Sequence, residues 1–265
     1  MLQDSHYKQY QKKKVQLAQL LDKLVYLTLS AVVLLFSVTA SLAADAEFSQ
    51  CKEMFGNNQP PIFKNKSMAP KALCYSNFAI LHSGASRTPI YVAERLNKEL
   101  LEVKVSRATA FFADDRIPPD ERSELEDYNG SGFDRGHMAP AGDMSTEKSM
   151  QQSFSLANIV PQDSVNNRKS WASIEKATRK YVMRATGDVF VITGSIFELN
   201  HLTIGMNKVW VPQYLFKLVY DPMTGRAWVH WLRNTSDAQV EKPISYIELV
   251  RRTGVEFLPG VSEIQ

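Results

Sequence analysis

This 265-residue chain predicts an α+β fold built on a largely antiparallel sheet, and three observations carry the prediction. Strand-like and helix-like runs both occur, but without the regular β-α alternation that a parallel sheet requires. The stretch "YLFKLVYDPMTGRAWVHWL" (214–232) holds two β-rich runs around a "DPMTG" turn, the pattern of an antiparallel hairpin. Residues 168–184 carry a helical period: Trp171, Ile174, Thr178, Tyr181, Val182 and Ala185 gather on one side of a 3.6-residue wheel, with Lys176, Lys180 and Arg184 on the other. A hydrophobic content of 44% is enough to bury a core, and the length suits one large domain.

The chain opens with a lysine-rich leader followed by "LVYLTLSAVVLLFSVTASLAA" (24–44), an uncharged apolar run long enough to cross a bilayer. It reads as an export signal, so the expected organisation is 1–44 as signal peptide or signal anchor and 45–265 as a single domain. The lysines and the small residues at 41–44 favour cleavage, and the long polar leader favours a retained anchor touching the membrane through 24–44. The expected location is periplasmic, secreted or anchored on the outer side of the cytoplasmic membrane. The formal charge of +3 is already reached by Lys8, Lys12, Lys13, Lys14 and Lys23 against Asp4 and Asp22. The folded part is therefore neutral, and net charge says nothing about its partners.

Beyond the apolar run stand the chain's 2 cysteines, Cys51 and Cys74, an even count that reads as one disulfide in an exported protein. A two-cysteine metal site is disfavoured, because no histidine lies between or beside them. Residues 55–73, rich in Pro, Asn and Lys, predict an irregular arm. "NFAILHS" (77–83) and "TPIYVAERL" (88–96) predict two strands around a "GAS" turn, and residues 112–132, charged and broken by Pro118, Pro119, Asn129 and Gly130, a long surface loop. Residues 147–156 have helical composition, "DVFVITGSIF" (188–197) reads as a buried strand, and 244–253 as a short closing helix after Pro243.

The chemistry concentrates around "GFDRGHMAPAGDM" (132–144), where an acid, a permanent cation and an imidazole are consecutive. A neutral histidine near its ordinary pKa of about 6.5 can take a proton from water. Mg²⁺ prefers few oxygen ligands and keeps waters and substrate phosphate oxygens, so the carbonyl of Asn167 could hold it beside a phosphodiester. Arginines suit the charge that develops on a transferring phosphoryl group. Together these are the parts of a metal-assisted phosphodiesterase.

"DRGHMAPAGD", "SLANIVPQ", "NNRKSW", "WASIEKATRK" and "VFVITGSIF", in that order and register, resemble the DNA/RNA non-specific endonucleases of the ββα-metal superfamily, over about residues 78–220. The resemblance implies a ββα-metal nuclease fold with a largely antiparallel central sheet flanked by helices. It implies that His137 is the general base, that Asn167 is the direct protein ligand of Mg²⁺ (Mn²⁺ able to substitute), and that Glu175 binds the metal through water. Arg179 would steady the transition state or the leaving group, and Asp134 and Arg135 would shape the site, the arginine approaching phosphate. Asn158 matches a family asparagine near the histidine, with site support and a plain turn role equally open. Arg107 is the counterpart of an upstream phosphate-binding arginine, with Arg116 as competitor.

Simpler roles stand beside these. Asn167 could be a helix N-cap, Glu175 and Arg179 an ordinary i,i+4 pair worth about 0.2 to 0.5 kcal/mol, and Asp134 a member of a local salt bridge. Gly136 and Pro140 are read as letting the backbone turn between two short strands. The resemblance implies DNA and RNA as partners, hydrolysis giving 5′-phosphate ends, and room for an inhibitor protein; oligomeric state is left open. A nuclease-fold protein that binds without turnover and a small-substrate phosphodiesterase are the competing readings.

Overall fold

A computed structural model of the chain describes residues 48–261 and Ile264, all within one compact unit spanning residues 47–265. The predicted leader and apolar run lie outside the described residues. Among the described residues no helix is long and apolar enough to cross a membrane.

The strands are β1 (Pro70–Cys74), β2 (Phe78–Ser83), β3 (Thr88–Leu96), β4 (Phe133–His137), β5 (Ile159–Asp163), β6 (Val189–Ile196), β7 (Thr203–Ile204), β8 (Val209–Trp210), β9 (Tyr214–Asp221), β10 (Arg226–Arg233) and β11 (Ile244–Ser245). The helices are α1 (Lys98–Glu102), α2 (Leu125–Tyr128), α3 (Glu147–Ser153), α4 (Ala172–Val182) and α5 (Tyr246–Thr253). Seven strands form an antiparallel sheet in the order β1-β2-β3-β6-β9-β10-β11, while β4 pairs with β5 and β7 with β8 as separate two-stranded units.

Side chains alternate across a strand, so the large sheet has two faces. On one, Leu81, Tyr91, Ile192, Phe216, Leu218 and Val229 pack with Phe48, Phe55 and the α5 residues Tyr246 and Leu249. On the other, Phe78, Ile80, Val92, Leu215 and Leu232 pack with Met138, Phe154, Trp171 and Ile174. The second face carries the strand pair β4-β5 and the helix that follows it. The predicted apolar stripe of that helix is its buried side: Trp171, Ile174, Thr178 and Val182 are all enclosed.

Three local expectations change. The arm 55–73 is not irregular throughout: Pro70–Cys74 forms the edge strand β1, with proline at its first position, where a missing N–H is tolerated. The Cys51–Cys74 disulfide ties that strand to the N-terminal turns. The helix predicted from residue 168 begins earlier, as a π-helical turn over Asn166–Trp171 that runs into α4. Such wide turns concentrate at functional positions. Helix α3 stops at Ser153, and a separate 3-10 turn covers Leu156–Asn158.

Candidate active site

His137 ends β4, opposite Ile159 on β5. One residue earlier, Gly136 is needed for close approach rather than for turning, which corrects the sequence reading: a Cβ there would overlap the side chain of Gln162. Gln162 crosses the strand pair at this point and donates through Nε2 to Asn166 Oδ1 at 2.9 Å. Asn166 in turn donates to the Arg233 carbonyl at 2.7 Å, and its own backbone N–H is capped by Asp163 at 2.9 Å. Capping therefore falls to Asp163, and Asn167 is released from it.

The Asn167 side-chain nitrogen donates to Asp134 Oδ2 at 3.0 Å. Asp134 is also forked by Arg168, with Nε at 2.8 Å and Nη2 at 2.6 Å. The salt bridge of Asp134 is thus with Arg168, a residue the motif reading passed over although it follows Asn167 directly. Arg135 turns the other way. It donates to the Leu125 carbonyl and to Asn129 Oδ1, with its guanidinium 5.4 Å from the Phe111 ring and 5.5 Å from Tyr128.

A cavity of about 610 Å³ brings together Asp134, Arg135, His137, Asn167, Glu175, Arg179 and Arg107, with Arg168 and the rings of Phe111, Phe133 and Phe154 in its wall. Arg107 enters and Arg116 does not: Arg116 is held by Asp114 and by the Cys74 carbonyl. Asn158 is not in the wall either. It is fully buried, with Oδ1 accepting from Ala139 N at 2.9 Å and Nδ2 donating to the carbonyls of Ala139 and Ser153. Asn158 thus fixes the chain that leaves His137 from behind the cavity wall, the placement of a site support.

Burial, and secondarily the charge of Arg107, push the His137 imidazole down to about 3. Its Nε2 is enclosed without a hydrogen-bond partner, while the residue itself lines the cavity. A ring so placed is neutral at ordinary pH and has a lone pair available for a proton.

Glu175 and Arg179 both reach the cavity from α4; each acts on the other's charge, but the close salt bridge of Arg179 is made elsewhere. Arg179 donates to Asp143 at 2.9 Å, a nearly buried carboxylate at the end of the "APAGD" stretch. Burial pushes Glu175 up to about 7, against the pull of the Lys217 ammonium. Lys217 lies in the sheet with Thr193 Oγ1 2.6 Å away, and buried Glu94 is held well above the usual carboxylate range by desolvation first and Asp143 second. Asp143, Lys217 and Glu94 are polar groups that sequence reasoning missed. They stand in separate strands and turns, and only the packing of α4 on the sheet gathers them.

The donor set fits a Mg²⁺-type ion and not a caged one. Among the described residues no group of three or more His, Cys, Asp or Glu side chains converges, whereas Mg²⁺ usually keeps several waters and few protein ligands. With its amide nitrogen engaged by Asp134, Asn167 has its carbonyl oxygen left to offer.

Comparison with known proteins agrees with this geometry. A family model described as DNA/RNA non-specific endonuclease matches residues 58–264. Nuclease C1 of Cunninghamella echinulata var. echinulata is 35% identical over 202 residues, 70% of this chain and 79% of that protein. Endonuclease G, mitochondrial, of Homo sapiens is 30% identical over 221 residues, 76% of this chain and 72% of that protein. Nuclease EXOG, mitochondrial, of Homo sapiens is 37% identical over 161 residues, and the chain spans 44% of its length. A solved chain from "Crystal structure of the EndoG/EndoGI complex: Mechanism of EndoG inhibition" superimposes with a TM-score of 0.65 at 25% identity, covering 71% of this chain and 85% of that one. The strand pair, the helix behind it and the large antiparallel sheet are thus a ββα-metal nuclease fold, and the chain belongs to the DNA/RNA non-specific endonuclease family.

Proposed function

We propose that this protein is an exported, Mg²⁺-dependent, sugar-non-specific endonuclease that hydrolyses phosphodiester bonds in DNA and RNA. The observation that carries the reading is the convergence on one cavity of a neutral imidazole, an asparagine with a free carbonyl and four arginines.

His137 takes a proton from a water molecule as its oxygen bonds to phosphorus, and the bond from phosphorus to the 3′-oxygen breaks. The products then carry 5′-phosphate and 3′-hydroxyl ends, the latter completed by a proton from solvent. Arg107 and Arg179 meet the charge that builds on the phosphoryl oxygens, since guanidinium stays protonated and forks onto two of them. Arg135, braced between Phe111 and Tyr128, holds a neighbouring phosphate. Mg²⁺, or Mn²⁺ in its place, would be held by Asn167 directly and by Glu175 through water, and would supply positive charge to offset that of the phosphoryl group. Asp134 orients Asn167.

Sequence-independent recognition follows from contacts made with phosphate rather than with base edges. Residues 1–44 act as the export signal or anchor and 45–265 as the working domain. The Cys51–Cys74 disulfide supports this, because such bonds persist in oxidising compartments. A protein inhibitor in the producing cell belongs to the same reading, supported by the likeness to an EndoG chain solved with EndoGI.

The test is cleavage of supercoiled plasmid and folded RNA by residues 45–265, with Mg²⁺ or EDTA, beside His137→Ala. Loss of cutting in EDTA and in the variant, with the fold intact, supports the reading. Tight binding by the metal-loaded wild type without any cutting replaces it with a binding protein.

A further inference from the structure

A histidine that acts as a base is ordinarily oriented by a hydrogen bond through its second nitrogen, to a carboxylate or a carbonyl. His137 lacks one, since its Nε2 is enclosed without a partner. Two aromatic rings pack against the imidazole. Phe154 meets the imidazole edge-on, with centroids 4.8 Å apart and planes at 78°. Phe111 lies 5.4 Å from the imidazole and 4.8 Å from Phe154, so the three rings close a triangle.

The two phenylalanines come from distant parts of the chain and are stitched together by backbone. Phe112 N donates to the Phe154 carbonyl at 3.3 Å, and Leu156 N donates to the Phe112 carbonyl at 2.8 Å. Arg107 packs over Phe154 at 5.2 Å. With 2% of its surface exposed, Phe154 has no open face for a nucleobase, so base stacking does not account for it.

We propose that Phe111 and Phe154 are positioning residues for His137, an aromatic clamp that sets the direction of the imidazole by packing and keeps water from its inner edge. The role of His137 as base rests on the nuclease reading above, but the clamp is a property of the fold without substrate. The charged groups around the ring are Arg107, whose charge acts on it, and Asp134, Arg135, Arg168, Glu175 and Arg179, which line the same cavity.

The experiment compares wild type, Phe154→Leu, Phe111→Leu and Phe111→Tyr by imidazole NMR of His137 in the substrate-free protein, and by steady-state cleavage. With the clamp opened, both leucine variants let water reach the ring, and its protonation midpoint rises by about one unit. In both, kcat falls roughly tenfold with KM unchanged, as for a misdirected base, and Phe111→Tyr keeps wild-type values. An unmoved midpoint in Phe111→Leu together with a raised KM and intact kcat overturns the proposal and makes Phe111 a substrate platform. Should Phe154→Leu fail to fold, Phe111→Leu decides alone. Should the wild type cut nothing with any metal, the nuclease reading fails, while the NMR midpoints still decide the clamp.

Discussion

Asn167 is held by Asp134: the amide nitrogen donates to Oδ2 at 3.0 Å, and the same carboxylate is gripped from the solvent side by Arg168. The arrangement decides which end of a symmetric-looking amide faces the cavity. Without the acid, the amide is free to rotate and offer its nitrogen, which binds no cation. Asp134→Ala is therefore expected to weaken Mn²⁺ binding by about 10- to 100-fold, the range for loss of a group that orients a ligand. Mn²⁺ titration followed by electron paramagnetic resonance measures this without any turnover.

Gly136 leads to a second expectation. A methyl group at this position collides with Gln162, which is itself bonded to Asn166. Gly136→Ala should cost roughly 1 to 3 kcal/mol, as overpacking does. The double variant Gly136→Ala/Gln162→Ala should recover most of that stability in urea unfolding, but without restoring activity, because Asn166 then lacks its brace. Recovery of neither would mean that the strain lies elsewhere.

Arg107 is exposed and reaches the cavity from a segment without regular secondary structure. If it contacts phosphate, Arg107→Ala in a His137→Ala background should flatten the plot of log affinity against log salt by about 0.7 to 0.9. Arg116→Ala should leave that slope alone, since Arg116 is occupied by Asp114. Equal effects from both would make the two arginines equivalent.

Three histidines are pushed below the ordinary imidazole value by burial: His82, His137 and, with the Lys217 charge adding to it, His230; the first two shift furthest. Burial lowers His82 to about 4, its hydrogen bond to the Glu121 carbonyl opposing the shift, and burial with Arg107 lowers His137 to about 3. Both pKa values lie below the ordinary value of about 6.5, so in the interval between them the unfolded chain binds more protons. Their contribution to stability is complete above about pH 6.5 and is lost progressively as pH falls toward 4 and then 3. Chemical denaturation across pH 7 to 4 should show this decline, and His137→Ala should show a shallower one.

Much of the centre was legible because its chemistry is local. Asp134, Arg135, Gly136 and His137 are consecutive, Glu175 and Arg179 stand one helical turn apart at the edge of an apolar stripe, and Asn167 is fixed by its register against Trp171. What the chain order hides is contact made through tertiary packing. Asp143 reaches Arg179 only when α4 lies against the turn after His137. Lys217 and Glu94 come from β9 and β3, with β6 between them, in runs that read simply as strands. The edge strand β1 was illegible for another reason: proline and lysine at its start mimic a loop, and its pairing with β2 supplies what local propensity does not.

The backbone stitch between Phe112 and Phe154 also divides the molecule's inheritance. Every group proposed to act on the scissile bond, except Arg107, is encoded between residues 134 and 179, whereas Arg107 and Phe111 arrive on a stretch that enters from outside and is fastened at Phe112. Grafting the corresponding stretch of a relative onto this chain, with Phe112 kept, would exchange a phosphate-facing arginine and one side of the packing around His137 in a single move, so grip on the polymer and aim of the base are inherited together.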